Sequence, residues 1–272
     1  YILATLLPID ALIGRIYPVF GVALLIMAVG VLVGIFTHTG WMPEITEAFT
    51  NHHPNHSLPI FPMLFITIAC GAVSGFHATQ SPMMARCIKN ERMGRRVFYG
   101  AMITEGIVAM IWAAAAIKYA GGYDELQQML TAEGNSNPAL VVNFICNDWM
   151  GGIGAILAIL GVVAAPVTSG DTAFRSARLI VAAFMGVEQR SLRKRIYICI
   201  PLFALGLLII FGLPFQTMWS YFAWMNQTLA AVTLWMIVVY LRRRGRTVWP
   251  GLIPALVMTY VCASYIFVSP LM

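Results

Sequence analysis

One acidic residue, Glu105, lies inside an otherwise apolar stretch, FYGAMITEGIVAMIWAAAAI, which is typical of a membrane-spanning helix. It follows the basic residue Arg96, and the intervening helix would be roughly 13 Å long, which places the carboxyl group within the hydrocarbon. A charge at such a position costs about 2.5 to 3.5 kcal/mol, so Glu105 is expected to face other helices, to pair or to carry a proton. We hypothesise that Glu105 relays a proton. A neutral Glu105 that joins two helices by a hydrogen bond is the alternative.

A run of polar and helix-weakening residues interrupts the apolar segment before it, in LFITIACGAVSGFHATQSPMMARCIKNE. Irregular backbone inside a membrane is tolerated only where protein or a water-filled cavity satisfies its polar groups. The sequence therefore predicts a discontinuous, cavity-lining helix with a break between Gly71 and Ser81, and a new half-helix that Ser81 caps and whose positive end would favour an anion. Close helix packing through Gly71 and Gly75 is the alternative interpretation. The candidate substrate-binding residues in this run are Ser74, His77, Thr79, Gln80 and Ser81.

A second interruption is predicted in GVVAAPVTSGDTAFRSARLI, where Pro166 ends one helix and the polar residues that follow offer caps for the next. The break is expected between Pro166 and Asp171. Asp171 and Arg175 are spaced i, i+4 and Arg178 follows at i+7, so the three charges share one helix face. The two arginines are expected to be anchors on the cytoplasmic side. The candidate substrate-binding residues here are Thr168 and Ser169. Asp171 is, in addition to Glu105, a candidate proton-coupling residue.

Ser74 and His77 also admit a different chemistry, because a serine activated by a histidine can act as a nucleophile. The GxSG pattern of rhomboid-type proteases is incomplete here, and the histidine lies on the same segment as the serine. An intramembrane serine hydrolase that uses Ser74 and His77 is therefore the alternative to a transporter. The chain has neither an HExxH motif nor paired intramembrane aspartates, so we predict that it is not an enzyme.

No metal site or cofactor is predicted. The motif HHPNH places His53 and His56 three residues apart, but Pro54 interrupts any helix that would align them, so a solvated loop is expected. The 5 cysteines have no CxxC or Cys/His ligand spacing.

The elements that must position these residues are apolar helices. The chain has 272 residues, of which 60% are hydrophobic and 10% charged, a composition too apolar for a soluble domain. Seven apolar runs are each close to the ~20 residues that cross a ~30 Å hydrocarbon core. They lie at about 15–37, 59–79, 97–117, 151–170, 196–213, 217–240 and 250–270. The predicted fold class is thus an all-α polytopic membrane protein with about seven transmembrane helices, two of them discontinuous.

The basic residues support this arrangement. All 17 Lys and Arg residues except Lys118 fall on one face of the seven-crossing path, which the positive-inside rule makes cytoplasmic. The net charge of +6 therefore belongs to short cytoplasmic loops, and we predict no binding of nucleic acid. The loops expected to be cytoplasmic contain Lys89, Arg193 and Arg243, and those expected to be external contain Asn51 and Glu133.

The two external connections, about 38–58 and 118–149, differ from the rest in their polarity. In the second, Asp124 to Glu133 predicts a short polar helix, and Pro138 to Met150 predicts a helix at the membrane interface. We expect residues 1–272 to form a single transmembrane domain. The first eight residues, YILATLLP, are typical of the end of an apolar helix, so we expect further N-terminal helices before Tyr1.

Three blocks of this sequence resemble the carbon starvation protein A (CstA) family, especially its shorter members. They are CGAVSGFHATQSPMMARCIKNE, YGAMITEGIVAMIWAAAA and APVTSGDTAFRSARLI. The resemblance implies a bacterial inner-membrane transporter of the amino acid, polyamine and organocation superfamily, with part of a LeuT-like inverted-repeat bundle. It also implies uptake of peptides or pyruvate with proton coupling, and a chain that corresponds to the C-terminal part of longer family members.

The predicted function is accordingly secondary active transport of peptides or a small carboxylate such as pyruvate, with H+ as the coupling ion. Two interrupted helices are typical of secondary transporters, whose half-helix ends face substrate and ions. A channel is a further alternative, although interrupted helices and an intramembrane Glu suit alternating access better than a continuous pore. The expected partners are the substrate, the coupling ion, the lipid bilayer and the preceding helices of the same protein; the oligomeric state stays open.

Overall fold

The computed structural model describes residues 17–44, 46–47, 50–53, 57–131, 138–188 and 191–269. Within these ranges, side chains are described except at positions 17, 69–70, 72, 162–168, 171 and 215–216. The regular elements of this part of the chain are all helical, as predicted. The α-helices are α1 (Tyr17–Thr37), α2 (Ile60–Ala72), α3 (Phe76–Cys87), α4 (Ala101–Ala120), α5 (Tyr123–Thr131), α6 (Pro138–Ala158), α7 (Ala165–Phe184), α8 (Leu192–Gly212), α9 (Phe215–Arg243) and α10 (Trp249–Val268).

Six helical segments of the described residues are long and apolar enough to cross a membrane, which makes the chain a multi-pass membrane protein. They are Pro18–Thr37, Glu91–Ala120, Pro138–Gly161, Leu192–Gly212, Thr217–Arg243 and Trp249–Val268. The seventh predicted crossing, at 59–79, is instead divided into α2 with 13 residues and α3 with 12 residues. Neither helix reaches the ~20 residues of a complete span, so the count of seven is not confirmed.

The described residues fall into two compact units. Unit 1 comprises the described parts of Tyr1–Glu47 and Met110–Gly212, and unit 2 those of Ala48–Ala109 and Leu213–Met272. Helix α4 is shared between them, and its first half, with Glu105, belongs to unit 2. The prediction of a single transmembrane domain stays a prediction.

The core of unit 1 lies between α1, α4 and α6. The residues that α1 contributes to this core recur every four positions, so they lie on one face of the helix. The buried core residues are Ala23, Met27, Val31, Ile35, Ala115, Val141, Ile145, Cys146, Leu157 and Ala158. The polar helix predicted from Asp124 is observed as α5, and a helix does begin at Pro138, although it continues to Ala158 as part of a candidate span.

The predicted break between Pro166 and Asp171 is wrong, because α7 is continuously helical from Ala165 to Phe184. The irregularities precede it: Gly151 has φ of 62° and ψ of −149°, and Ile159–Ala164 forms a π-helix. Pro166 does not end the helix, because it lies directly after the π-helix Ile159–Ala164, an irregular turn that accommodates the proline. Thr168 and Ser169 consequently lie inside the helix and do not act as its cap.

Unit 2 is built around the helix pair α9 and α10, against which α2 packs. Its buried cluster consists of Ile66 from α2, Ala223 from α9 and three residues of α10, namely Val261, Cys262 and Tyr265. The indole N–H of Trp224 donates a hydrogen bond of 3.2 Å to the carbonyl oxygen of Cys262, which ties α9 to α10.

Candidate functional site at the broken helix

The connection from α2 to α3 interrupts the helical backbone between Ala72 and Phe76. This confirms the prediction that the α-helix is left between Gly71 and Ser81. The predicted position of the new half-helix is wrong, however, because α3 starts at Phe76 and runs through Ser81 and Pro82. Ser81 is therefore not a cap, and the helix end that could favour an anion lies at Phe76. In an apolar environment, continuing the helix through Pro82 costs less free energy than starting a new helix at Ser81, because a longer break would leave several backbone N–H and C=O groups without partners.

Asn226 of α9 supplies the hydrogen bonds that the interruption requires. Its Oδ1 accepts a bond of 2.8 Å from the backbone N–H of Phe76 and one of 3.3 Å from the hydroxyl of Ser74. Its Nδ2 donates to the same hydroxyl oxygen at 3.1 Å. The adjacent Gln227 is fully buried, and its Nε2 lies 3.4 Å from the carbonyl oxygen of Ile66. Two neighbouring amide side chains of α9 thus satisfy the polar groups of the broken helix from one side.

Neither Asn226 nor Gln227 was predicted from the sequence as part of the site. The available signal was the polar triplet NQT inside the apolar helix α9, because polar side chains within a span mark helix contacts or ligand sites.

Gly75 permits the close approach of the break to α9. A Cβ atom at position 75 would overlap the carbonyl oxygen of Asn226 and lie only 2.7 Å from the backbone nitrogen of Ala230. Both neighbours are backbone atoms, which cannot move aside as a side chain can. By contrast, a Cβ at Gly71 would make an ordinary contact of 3.6 Å with Ala109. Close packing through these two glycines therefore occurs together with the break, and Gly75 is the position of the two that has no room for a side chain.

A cavity of about 820 Å³ adjoins the break within unit 2. Most of its wall is apolar, from α3, the start of α4 and α9. Its polar lining residues are Ser74, His77, Gln80, Ser81 and Thr233. Four of the predicted substrate-binding residues therefore line one cavity, which has the size and the mixture of apolar walls and few polar groups that small ligands require.

The other predicted substrate-binding residues lie elsewhere. Thr79 does not line the cavity, and its hydroxyl donates a hydrogen bond of 2.8 Å to the carbonyl oxygen of Phe76 in its own helix. Ser169 is exposed on α7 in unit 1. The side chains of Thr168 and Asp171 lie outside the described part of the structure.

The side chains of His77 and Glu105 contact each other, with 3.4 Å between Nε2 and Oε2. Their side chains are 38% and 45% exposed, so Glu105 is paired as expected but is not enclosed by protein. The other ring nitrogen, Nδ1, lies 3.2 Å from the carbonyl oxygen of Ser74. Because a carbonyl oxygen can only accept, Nδ1 must carry a hydrogen, and a hydrogen between Nε2 and Oε2 can then belong to either group. His77 thus connects the broken helix, the cavity and the carboxyl group of Glu105.

The same contacts are unfavourable for a serine hydrolase. In the described hydrogen bonds, the hydroxyl of Ser74 pairs with Asn226, whereas His77 contacts the backbone carbonyl oxygen of Ser74 and the carboxyl group of Glu105. A general base must reach the proton of its nucleophile, and this contact is not among them. The described residues also contain no group of three or more His, Cys, Asp or Glu side chains that could hold a metal ion; His56 lies outside them.

Comparison with known proteins agrees with this architecture. The family model described as carbon starvation protein CstA matches residues 1–146, which is more than half of the chain. The chain belongs to the CstA family. The resemblance seen in the sequence is thereby confirmed. The search of solved structures finds no match for the chain.

Three relatives illustrate the relationship to other CstA family proteins. A membrane protein of Haemophilus influenzae is 45% identical over 148 residues, which cover 48% of this chain and 40% of the relative. The peptide transporter CstA of Escherichia coli is 26% identical over 294 residues, covering 84% of this chain and 42% of the relative. The pyruvate/proton symporter BtsT of Escherichia coli is 45% identical over 76 residues, or 28% of this chain and 11% of the relative. The two Escherichia coli relatives are named as transporters, in agreement with the prediction that this chain is not an enzyme.

These alignments cover less than half the length of each of the three relatives.

Proposed function

We propose that this chain is part of a proton-coupled secondary transporter of the bacterial inner membrane, which takes up peptides or a small carboxylate such as pyruvate. The observation that carries the proposal is the His77–Glu105 pair beside the cavity at the broken helix. The names of the relatives support the substrate class, since one is a peptide transporter and another a pyruvate/proton symporter.

In this proposal the substrate enters the cavity of unit 2 and meets Ser74, His77, Gln80 and Ser81. The apolar wall suits the body of a small organic molecule, and the few polar groups fix its orientation. Thr79 in unit 2, and Thr168 and Ser169 in unit 1, stay candidate substrate-binding residues outside this cavity. In this proposal the helices of the chain form part of a LeuT-like bundle.

Proton coupling follows from the hydrogen shared by His77 and Glu105. With Nδ1 held as a donor to the carbonyl oxygen of Ser74, the pair is satisfied when one hydrogen lies between Nε2 and the carboxylate. Removing that hydrogen leaves the lone pair of His77 Nε2 facing the carboxylate of Glu105, and the two groups then repel each other. A substrate that contacts His77 changes the balance between these states, so binding and protonation are coupled. Asp171 is a second candidate coupling group in unit 1.

The hydrolase alternative is not favoured, because Ser74 and His77 do not face each other as nucleophile and base. A channel would not need a protonation step next to its cavity, so the titratable pair supports alternating access.

Glu105→Gln tests the proposal, since glutamine keeps the size and hydrogen bonding of the side chain but cannot titrate. Uptake of labelled pyruvate and of labelled di- and tripeptides is measured in proteoliposomes of the full-length protein, with and without an imposed proton gradient. We expect gradient-driven accumulation to fall at least tenfold while substrate exchange persists. Glu91→Gln, an exposed change outside the cavity, is the matched control. Full accumulation by the Glu105→Gln protein would make this residue architectural and remove the coupling role.

A further inference from the structure

Helix α7 buries charge in unit 1. Arg175 is only 8% exposed, Ser176 6% and Arg178 5%. The sequence suggested that the two arginines are anchors on the cytoplasmic side, and the structure encloses both side chains. Burying a guanidinium is costly unless it is paired and hydrogen-bonded, so these residues require a specific explanation.

Helix α8 is the neighbour against which this charged face is held. The rings of Phe174 and Phe203 are 4.7 Å apart, and Arg178 forms a hydrogen bond with the thiol of Cys199. Phe174 of α7 thus faces Phe203 of α8, and Arg178, about one turn later in α7, faces Cys199, about one turn earlier in α8. The two helices therefore run antiparallel. Cys199 lies roughly 10 Å along α8 from its first residue. Because α8 is a candidate membrane span, α7 brings Arg178 beside its apolar part.

Arg178 has donors that the described residues leave unused. Its Nε and Nη1 atoms are buried and find no hydrogen-bond partner among the side chains and backbone that the structure describes. Arg175 and Arg195 act on it as positive charges, and the thiol of Cys199, its hydrogen-bond partner, acts in the opposite direction. A guanidinium has five N–H donors and no acceptor, so this environment is complementary to an anion.

We propose that Arg178, with Arg175 beside it, binds the carboxylate group of a small organic acid between α7 and α8. Guanidinium donors match the planar, divided charge of a carboxylate, and desolvation strengthens the bond. The adjoining aromatic and thiol side chains of Phe174 and Cys199 suit a small apolar body attached to that group. This site goes beyond the transport function proposed above, since it lies within unit 1 and its binding needs no proton gradient.

Equilibrium binding to the purified full-length protein tests this site. The probes are pyruvate and alanyl-alanine, each compared with its carboxamide, pyruvamide and alanyl-alanine amide. We expect each carboxylate to bind at least tenfold more tightly than its amide. Arg178→Gln should weaken carboxylate binding at least tenfold, and Arg178→Lys by a smaller factor because charge is kept but the planar donors are lost. The exposed Arg193→Gln should change the affinity less than twofold.

Asp171 provides the decisive internal comparison, because its spacing places it on the same helix face as both arginines. If a ligand carboxylate occupies Arg178, Asp171→Asn removes a competitor and leaves the affinity equal or higher. A loss in Asp171→Asn as large as in Arg178→Gln would overturn the site. Equal binding of acid and amide, no binding of either carboxylate, or unchanged affinity in a folded Arg178→Gln protein would overturn it as well. If the Arg178→Gln protein does not fold, the site is tested by the affinity of the Arg178→Lys protein and by the preference for acid over amide, and unchanged affinity or no preference overturns it.

The outcomes separate this site from the transport proposal. If carboxylates bind in a manner that depends on Arg178 but the protein shows no gradient-driven uptake, the transport proposal is contradicted and the carboxylate site is not. Uptake that depends on Glu105 but is unchanged by Arg178→Gln would contradict the carboxylate site alone.

Discussion

Unit 2 and unit 1 place polar groups inside apolar helices by opposite means. In unit 2 the helix is interrupted between α2 and α3, and Asn226 bonds to the freed groups. In unit 1 the chain bends at Gly151 and at a π-helix, yet α7 stays helical and buries Arg175 and Arg178. An interruption therefore creates a cavity with a titratable pair, whereas a continuous helix carries fixed positive charge. The first arrangement suits an exchangeable proton and the second suits an anion.

The largest expected effect concerns the contact that allows the interruption. Gly75→Ala should lower the free energy of unfolding by about 3 kcal/mol, because the new methyl group meets backbone atoms of α9. Gly71→Ala is the matched control, since its Cβ would make an ordinary contact, and it should change the stability by less than about 1 kcal/mol. Thermal unfolding in detergent measures both. Equal stability of the two variants would show that the break does not depend on close packing against α9.

The next effect concerns the side chain that completes the break. Asn226→Leu should cost about 2 kcal/mol, because the hydroxyl of Ser74 loses its partner Asn226 and the N–H of Phe76 keeps only its bond of 3.3 Å to that hydroxyl. Thr233→Val, in the same helix, removes a hydroxyl that bonds only to its own helix at Leu229 and should cost less than about 1 kcal/mol. The unfolding midpoints of the two proteins are to be compared in the same detergent. An Asn226→Leu protein as stable as the Thr233→Val protein would mean that the break is satisfied in another way.

The bend in unit 1 should respond to backbone geometry alone. At φ of 62° and ψ of −149°, Gly151 has a conformation that other residues avoid, and open space surrounds its Cβ position. Gly151→Ala should therefore cost about 1 to 2 kcal/mol, with little further loss for a larger side chain. Gly152→Ala, also in open space but without a positive φ, should be neutral or slightly stabilising. A series of Ala, Ser and Val at both Gly75 and Gly151 distinguishes a steric cause, which grows with side-chain size, from a conformational one.

The smallest effect is expected at Ser74. Ser74→Ala removes one partner of Asn226 but leaves the bond from Phe76, so we expect a loss of about 1 kcal/mol in stability and less than a tenfold change in uptake. Uptake assays in proteoliposomes give the comparison with the unchanged protein. If the serine were a catalytic nucleophile, its removal would abolish activity completely.

The sequence was informative where a physical requirement has a local signature. Glu105 and the polar run from Gly71 to Ser81 were recognisable because charged and helix-weakening residues are costly in a membrane. The exact start of α3 was not predictable, because Ser81 and Pro82 form a good local cap whose preference is weaker than the cost of a longer break. Asn226 was missed because its role depends on a contact between residues 152 positions apart in the chain, as its bond to Ser74 shows.

The break predicted between Pro166 and Asp171 was wrong for a related reason. The helical backbone passes through Pro166 because the π-helix Ile159–Ala164 directly precedes α7, and local sequence alone does not reveal this irregular turn. The burial of Arg175 and Arg178 beside α8 was not predicted, because α8 follows later in the chain and the arginines were interpreted only as anchors on the cytoplasmic side.

Infrared difference spectroscopy measures whether His77 and Glu105 share an exchangeable proton. Substrate is added to the full-length protein in lipid, and the carbonyl-stretch band of a protonated carboxyl group is followed over a range of pH. We predict that substrate changes this band, that Glu105→Gln removes the change, and that His77→Gln shifts the pH at which it occurs. A substrate response that persists in the Glu105→Gln protein, or an unchanged band in the unaltered protein, would contradict the account.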